Sequence, residues 1–162
     1  MATYPFARER LTIVQGRNGF TIVELVLIMA IIGVLAIMAI PSYSHITEKA
    51  KTSRCIAEIR ALEKDITAYF IDNGVYPSSL NDIGRGDLKD PWKRPYHFVN
   101  LAAAGAIPYE DIIAAPLNTD FDLYSSGPDG ASTQSLTAGN PTCEDDIIRG
   151  TDGAYVGIGI NF

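Results

Sequence analysis

Residues Gly19 to Ile40 read GFTIVELVLIMAIIGVLAIMAI, and the reading of this stretch decides the fold. From Phe20 to Ile40 the only charged residue is Glu24. As a helix that run spans about 31 Å, the thickness of a bilayer's hydrocarbon core. β-Branched residues are frequent in it, but propensity matters little in lipid, where backbone groups bond within their own segment. A cleaved secretory signal has an apolar region of only about 7–15 residues that ends in small residues. This run is longer and leads into Pro41 and a polar helix. A plain membrane anchor fits the length and leaves Glu24 unexplained. A carboxylate near the end of an apolar helix costs on the order of a few kcal/mol unless it is paired or reaches the interface.

Cleavage between Gly19 and Phe20 supplies a partner. It creates a free α-amine, cationic near neutral pH, one helical turn from Glu24. The amine of one subunit can then neutralise Glu24 of a neighbour shifted along a helix bundle. In a low dielectric a wrong stagger leaves two buried charges unpaired, so Glu24 reads as an assembly register. The chain divides accordingly into a leader (1–19), an apolar filament-core or transmembrane helix (20–40), an amphipathic continuation (41–74) and a β-rich head (75–162).

Gly19-Phe20-Thr21-Ile22-Val23-Glu24-Leu25 resembles the prepilin cleavage and methylation motif of type IV pilins and type II secretion pseudopilins. The resemblance implies cutting after Gly19 by a prepilin peptidase and N-methylation of Phe20. Arg8, Arg10 and Arg17 of the leader keep the amino end cytoplasmic and place the head outside. Lys49, Lys51 and Arg54 follow the apolar run and work against that rule.

Pro41 lacks a backbone donor and clashes with the preceding turn, which predicts a kink or local melting. From Ser42 to Asp72 the pattern is helical, with Ile59, Leu62, Ile66, Tyr69 and Phe70 on one stripe facing a small sheet. Gly74 suits a left-handed cap. Strands are expected at Tyr96–Val99, Phe121–Ser125 and Ala154–Ile160. One long helix on a few antiparallel strands gives an α+β, pilin-like fold. Trp92 reads as a core residue under the sheet with its N–H bonded locally.

Asp90–Phe98 (DPWKRPYHF) and Phe121–Gly130 (FDLYSSGPDG) resemble segments of the major pseudopilin of type II secretion systems. The usual patterns there are Asp-Pro-Trp-Gly-x-Pro-Tyr and Tyr-Asp-Leu-Tyr-Ser-x-Gly-x-Asp-Gly. Lys93 replaces the usual Gly. The stretch Leu101–Asp120 is longer than the family's connection, and Ala131–Thr142 is an insertion.

The loop Ser125–Asp146 has no regular period and carries Asp129, Glu144, Asp145 and Asp146. Hard cations take six to eight oxygens, and Gly127, Pro128 and Gly130 permit the turning that exposes the Ser126 carbonyl. On chemistry alone the loop is either a calcium site or a solvated acidic surface. The resemblance implies calcium, held by the Ser126 carbonyl, Asp129, Asp145 and Asp146. Cys55 and Cys143 show no zinc spacing. Outside the cytoplasm they form either a disulfide across a long loop or two separate thiols.

The net charge is −6, and the leader is positive, leaving the rest of the chain at −8. An acidic body excludes nucleic acid as a partner. His45 and His97 have no recognisable catalytic partner, and no phosphate loop or serine elbow is present, so the chain reads as non-enzymatic. The resemblance implies a homo-oligomeric helical filament, an inner-membrane assembly platform, minor pseudopilins, and membrane lipid before assembly. The leading expectation is a periplasmic pseudopilus of type II secretion. The alternatives are an extracellular type IV pilus and a monomeric membrane-anchored binding protein.

Overall fold

The computed structural model describes residues 19–137 and 141–162, with the backbone alone for 38–42. Most of the leader, including Arg8, Arg10 and Arg17, lies outside the described residues. The chain divides into two compact units, the second beginning at Tyr43. One helix, α1 (Ile22–Asn73), supplies most of the described residues of the first unit and extends into the second. Helical backbone is assigned straight through Pro41, so the melting expected there does not occur. In the first unit the side chains from Phe20 to Ile37 are all exposed. Among the described residues no helix is long and apolar enough to cross a membrane. The described side chains of the apolar run end at Ile37.

In the second unit α1 buries Cys55, Ile59, Leu62 and Ile66, one face at helical spacing. Tyr69 is half-buried, and Phe70, partly exposed, stacks on Tyr76 at 4.4 Å. The helix ends as its sequence requires: Gly74 takes φ +74° and its N–H bonds the Phe70 carbonyl at 2.8 Å.

Four strands form one antiparallel sheet in chain order: β1 (His97–Asn100), β2 (Phe121–Ser125), β3 (Ile147–Gly150) and β4 (Tyr155–Ile158). The α+β architecture is the expected one, and β1, β2 and β4 fall within a residue or two of expectation. β3 was not anticipated; Ile-Ile-Arg-Gly is buried at every position and carries no polar alternation.

Period-two geometry sends alternate side chains to opposite faces. Phe121, Leu123 and Ile147 meet the α1 stripe, with Leu80 and Tyr96. Tyr124 and Ile148 face the other way into a second cluster with Tyr109, Leu117, Leu136 and Cys143. This second core draws Tyr109 and Leu117 from Leu101–Asp120 and Leu136 from the stretch after β2. Glu110 N donates to the Gln134 carbonyl and Leu136 N to the Glu110 carbonyl, both at 2.9 Å, so the insertions zip together. Buried Asp122 pins the first of them, accepting from Tyr109 N at 2.7 Å and Asn118 Nδ2 at 2.8 Å.

Cys55 belongs to the first core and Cys143 to the second. Both are free thiols, so the disulfide considered from sequence is not formed; the sheet's two faces hold them apart. Trp92 is also corrected. It packs at the edge of the first core, and its Nε1 donates not locally but to Glu48 Oε2, 44 residues away, at 2.9 Å.

Candidate functional site

At the amino end, Gly19 and Phe20 precede the helix, with Phe20 77% exposed. A side chain at Gly19 would meet nothing within 4 Å, so packing gives no reason for glycine there. Glu24 is bound within its own chain. Its Oε2 accepts the Thr21 N–H at 2.9 Å and the Thr21 hydroxyl at 2.8 Å, while Glu24 N–H donates to Thr21 Oγ1 at 3.2 Å. This is a capping box, Thr-x-x-Glu, readable in the sequence but passed over. It fixes where α1 begins and holds the carboxylate on the first turn.

The second candidate is the acidic turn. Asp90 organises its approach. Buried Asp90 accepts from Trp92 N (3.0 Å) and Arg94 N (2.8 Å) with Oδ1, and from Ser125 Oγ (2.6 Å) with Oδ2. It thereby ties the turn before β1 to the end of β2. Lys93 sits at φ +71° within that turn, which explains why glycine suits the position. Arg94 then reaches the carbonyls of Gly127 and, at 3.1 Å, Pro128. A Cβ at Gly130 would meet the Arg94 Cζ at 2.3 Å, so the guanidinium lies on the turn itself. Sequence reading gave Arg94 no role; its place between Lys93 and Pro95 is the only signal it had.

The structure shows where each expected ligand goes. The Ser126 carbonyl accepts Gly130 N at 2.9 Å. Asp129 Oδ1 accepts Ala131 N at 2.8 Å, and Asp129 N donates to Asp145 Oδ2 at 3.1 Å. Asp146 is fully buried, its Oδ2 accepting from the Tyr109 and Ser132 hydroxyls, each at 2.6 Å. Among the described residues no three His, Cys, Asp or Glu groups come together as a metal site. Two oxygens nevertheless remain buried without a hydrogen-bond partner, Asp145 Oδ1 and Asp146 Oδ1. Burial raises the pKa of both carboxyls, that of Asp146 to about 6. Orphaned carboxylate oxygens of this kind suit a hard cation.

The prokaryotic N-terminal methylation motif matches residues 15–40, which contain Gly19, Phe20 and Glu24. The type II secretion system core protein G of Escherichia coli K12 is 30% identical over 135 residues, covering 70% of this chain and 83% of the relative. That of Dickeya chrysanthemi is 27% identical, covering 76% and 86%. A fimbrial protein of Neisseria meningitidis is 34% identical over 74 residues, 46% of this chain and 44% of its own. No solved structure matches at a significant level. The methylation motif is shared with pilins, but the likeness that extends over the head is to the secretion proteins, and on that extent the chain belongs to the type II secretion system core protein G family.

Proposed function

We propose that this chain is the structural subunit of a type II secretion pseudopilus and performs no catalysis. A prepilin peptidase cuts after Gly19 and Phe20 becomes the methylated amino terminus. The 21-residue run Phe20–Ile40 holds the subunit in the inner membrane, with the leader side cytoplasmic and the head periplasmic. An assembly platform and minor pseudopilins then receive it, and subunits stack through α1 into a filament that drives export. The observation that carries this reading is the pairing of the methylation motif with a head related to core protein G over more than two thirds of both chains. The unforced glycine at position 19 supports the cut, since no contact requires it. In this reading Glu24, held on the first turn by Thr21, meets the new amine of a neighbour.

The test is genetic. Deleting the chain should stop export of secreted proteins while leaving surface fibres intact. Glu24→Gln should reproduce the export defect, and the mature protein should begin at methylated Phe20. Loss of surface fibres with normal export would favour the pilus reading, for which the likeness to the fimbrial relative over 74 residues is the support. Normal function with Gln at position 24 would favour a monomeric anchor.

The same reading gives the acidic turn a hard cation such as calcium. Its support is the pair of orphaned oxygens, Asp145 Oδ1 and Asp146 Oδ1. Asp129 keeps Oδ2 and the Ser126 carbonyl a second lone pair beside the bonds they make within the turn. Bound, the ion supplies the positive charge that lets two buried carboxylates stay ionised. Thermal melting should rise with added calcium, and Asp145→Asn should remove that response. A parent chain indifferent to calcium would end the idea.

A further inference from the structure

Ten basic residues follow the apolar run, and six of them fall in two short segments. Lys49, Lys51 and Arg54 lie on α1; Lys89, Lys93 and Arg94 lie in the turn before β1. Of the 17 acids after the run, Asp90 falls within these segments and Glu48, Glu58 and Asp87 flank them, Glu58 pairing with Arg54 at 2.8 Å. The two segments are 40 residues apart and are joined by one side chain. Glu48 accepts Trp92 Nε1 with Oε2 at 2.9 Å and Lys51 Nζ with Oε1 at 2.7 Å. Glu48 is thus matched by Lys51, and Asp90 is buried and occupied by the turn's own donors. Among the described residues Lys49, Lys89 and Lys93 make no ion pair, and all three are exposed. Lys93 carries its charge on a backbone at φ +71°, a conformation that disfavours any side chain. The remainder of the head is acidic.

We propose that this basic collar docks the head on anionic phospholipid headgroups of the membrane that holds the apolar run. The inference rests on the membrane reading given above and adds a contact to it. Lys49 follows Ile40 by only nine residues of the chain, and a lysine side chain and a Debye length of about 8 Å extend its reach toward the headgroup layer. Outside these two segments the head (75–162) carries an excess of acids over bases. The collar also accounts for the basic residues that violate the positive-inside pattern: their role is contact with lipid after translocation, not orientation before it.

Trp92, the single tryptophan of the chain, sits within the collar and reports on it. The full chain is reconstituted into vesicles of pure phosphatidylcholine or of phosphatidylcholine with one third phosphatidylglycerol, each with a headgroup-attached nitroxide quencher. Alkali-resistant association with both vesicles checks insertion independently of docking. Quenching of Trp92 should be stronger in the anionic vesicles and fall to the neutral-vesicle level in high salt. The triple variant Lys49→Gln, Lys89→Gln, Lys93→Gln should insert equally and lose the difference, each lysine changing the docked-to-free ratio by about fivefold. Equal quenching in both lipids, or a triple variant that still distinguishes them, overturns docking while leaving insertion in place. Quenching that follows protein density rather than lipid charge assigns the collar to a second copy and also overturns it. Failure to insert in either vesicle sinks the membrane reading and the docking with it.

Discussion

Arg149 on β3 and Glu63 on α1 meet at 2.9 Å between Nε and Oε1, joining helix to sheet through a guanidinium that is only 3% exposed. Its other nitrogens hold Asp120 at 2.8 Å, and its Cζ lies 4.0 Å over the Phe121 ring. Arg149→Ala leaves Asp120 without a cation and Glu63 with Arg60 alone, at 3.1 Å, and should destabilise the head by about 3–5 kcal/mol. Glu63→Gln keeps the shape and the hydrogen bond and should cost less. Urea unfolding followed by Trp92 fluorescence measures both; a loss under about 1 kcal/mol for Arg149→Ala would show that water reaches the site and the pair is not structural.

Lys93→Gly should stabilise. The φ of +71° costs a side-chain-bearing residue about 1 kcal/mol, and glycine adopts it freely. A part of that gain is lost to the greater freedom of glycine in the unfolded chain. A melting temperature that falls in this variant would show that the lysine side chain contributes more than its backbone costs.

Acidification should act on His97. Its ring stacks on Tyr124 at 4.7 Å and its Nε2 lies 3.1 Å from Ser126 Oγ. Burial holds its pKa below the ordinary 6.5. As pH falls below about 6.5 the unfolded chain takes up this proton first, so stability drops. Asp122, Asp145 and Asp146, whose pKa values are raised by burial, act in the opposite sense over the acid range. The measurement is therefore a difference: His97→Gln should lose less stability than the parent between pH 7 and 5.5. Identical slopes for the two proteins would remove His97 from the pH response.

Both thiols should be silent in the folded protein. Cys55 is fully buried and its pKa is pushed up to about 11 by desolvation, which suppresses the thiolate. Cys143 is equally buried, its sulfur accepting Thr133 N at 3.1 Å. A thiol-specific reagent should find nothing under native conditions and two thiols per chain after denaturation without reductant. Finding none after denaturation would establish a disulfide instead.

What the sequence disclosed depended on how local the signal was. The α1 stripe repeats at helical spacing and was read correctly, because Ile59, Leu62 and Ile66 need only the helix to reach one face. β3 escaped because Ile147-Ile148-Arg149-Gly150 is buried on both faces and four residues long, with no alternation to mark it. Its second covered face exists only because Leu101–Asp120 and Ala131–Thr142 pack against each other, a pairing that no spacing announces. At the acidic turn the residues were named but their bonds were not. Arg94 arrives from 33 residues earlier, and Tyr109 holds Asp146 across 37. The capping box at Thr21 and Glu24 was legible and was eclipsed by the charge argument for the same glutamate.

Each strand of the head hydrogen-bonds the strand next to it in the chain, β1 to β2, β2 to β3, β3 to β4. No strand waits for a later one to be inserted between itself and its partner. The head can therefore zip up in the order in which the chain is made, each hairpin closing as its second arm becomes available. Such an emerging subunit displays an unpaired edge for one strand's length at a time, which shortens its exposure to sticky encounters with its own copies at the crowded place where they are to be assembled.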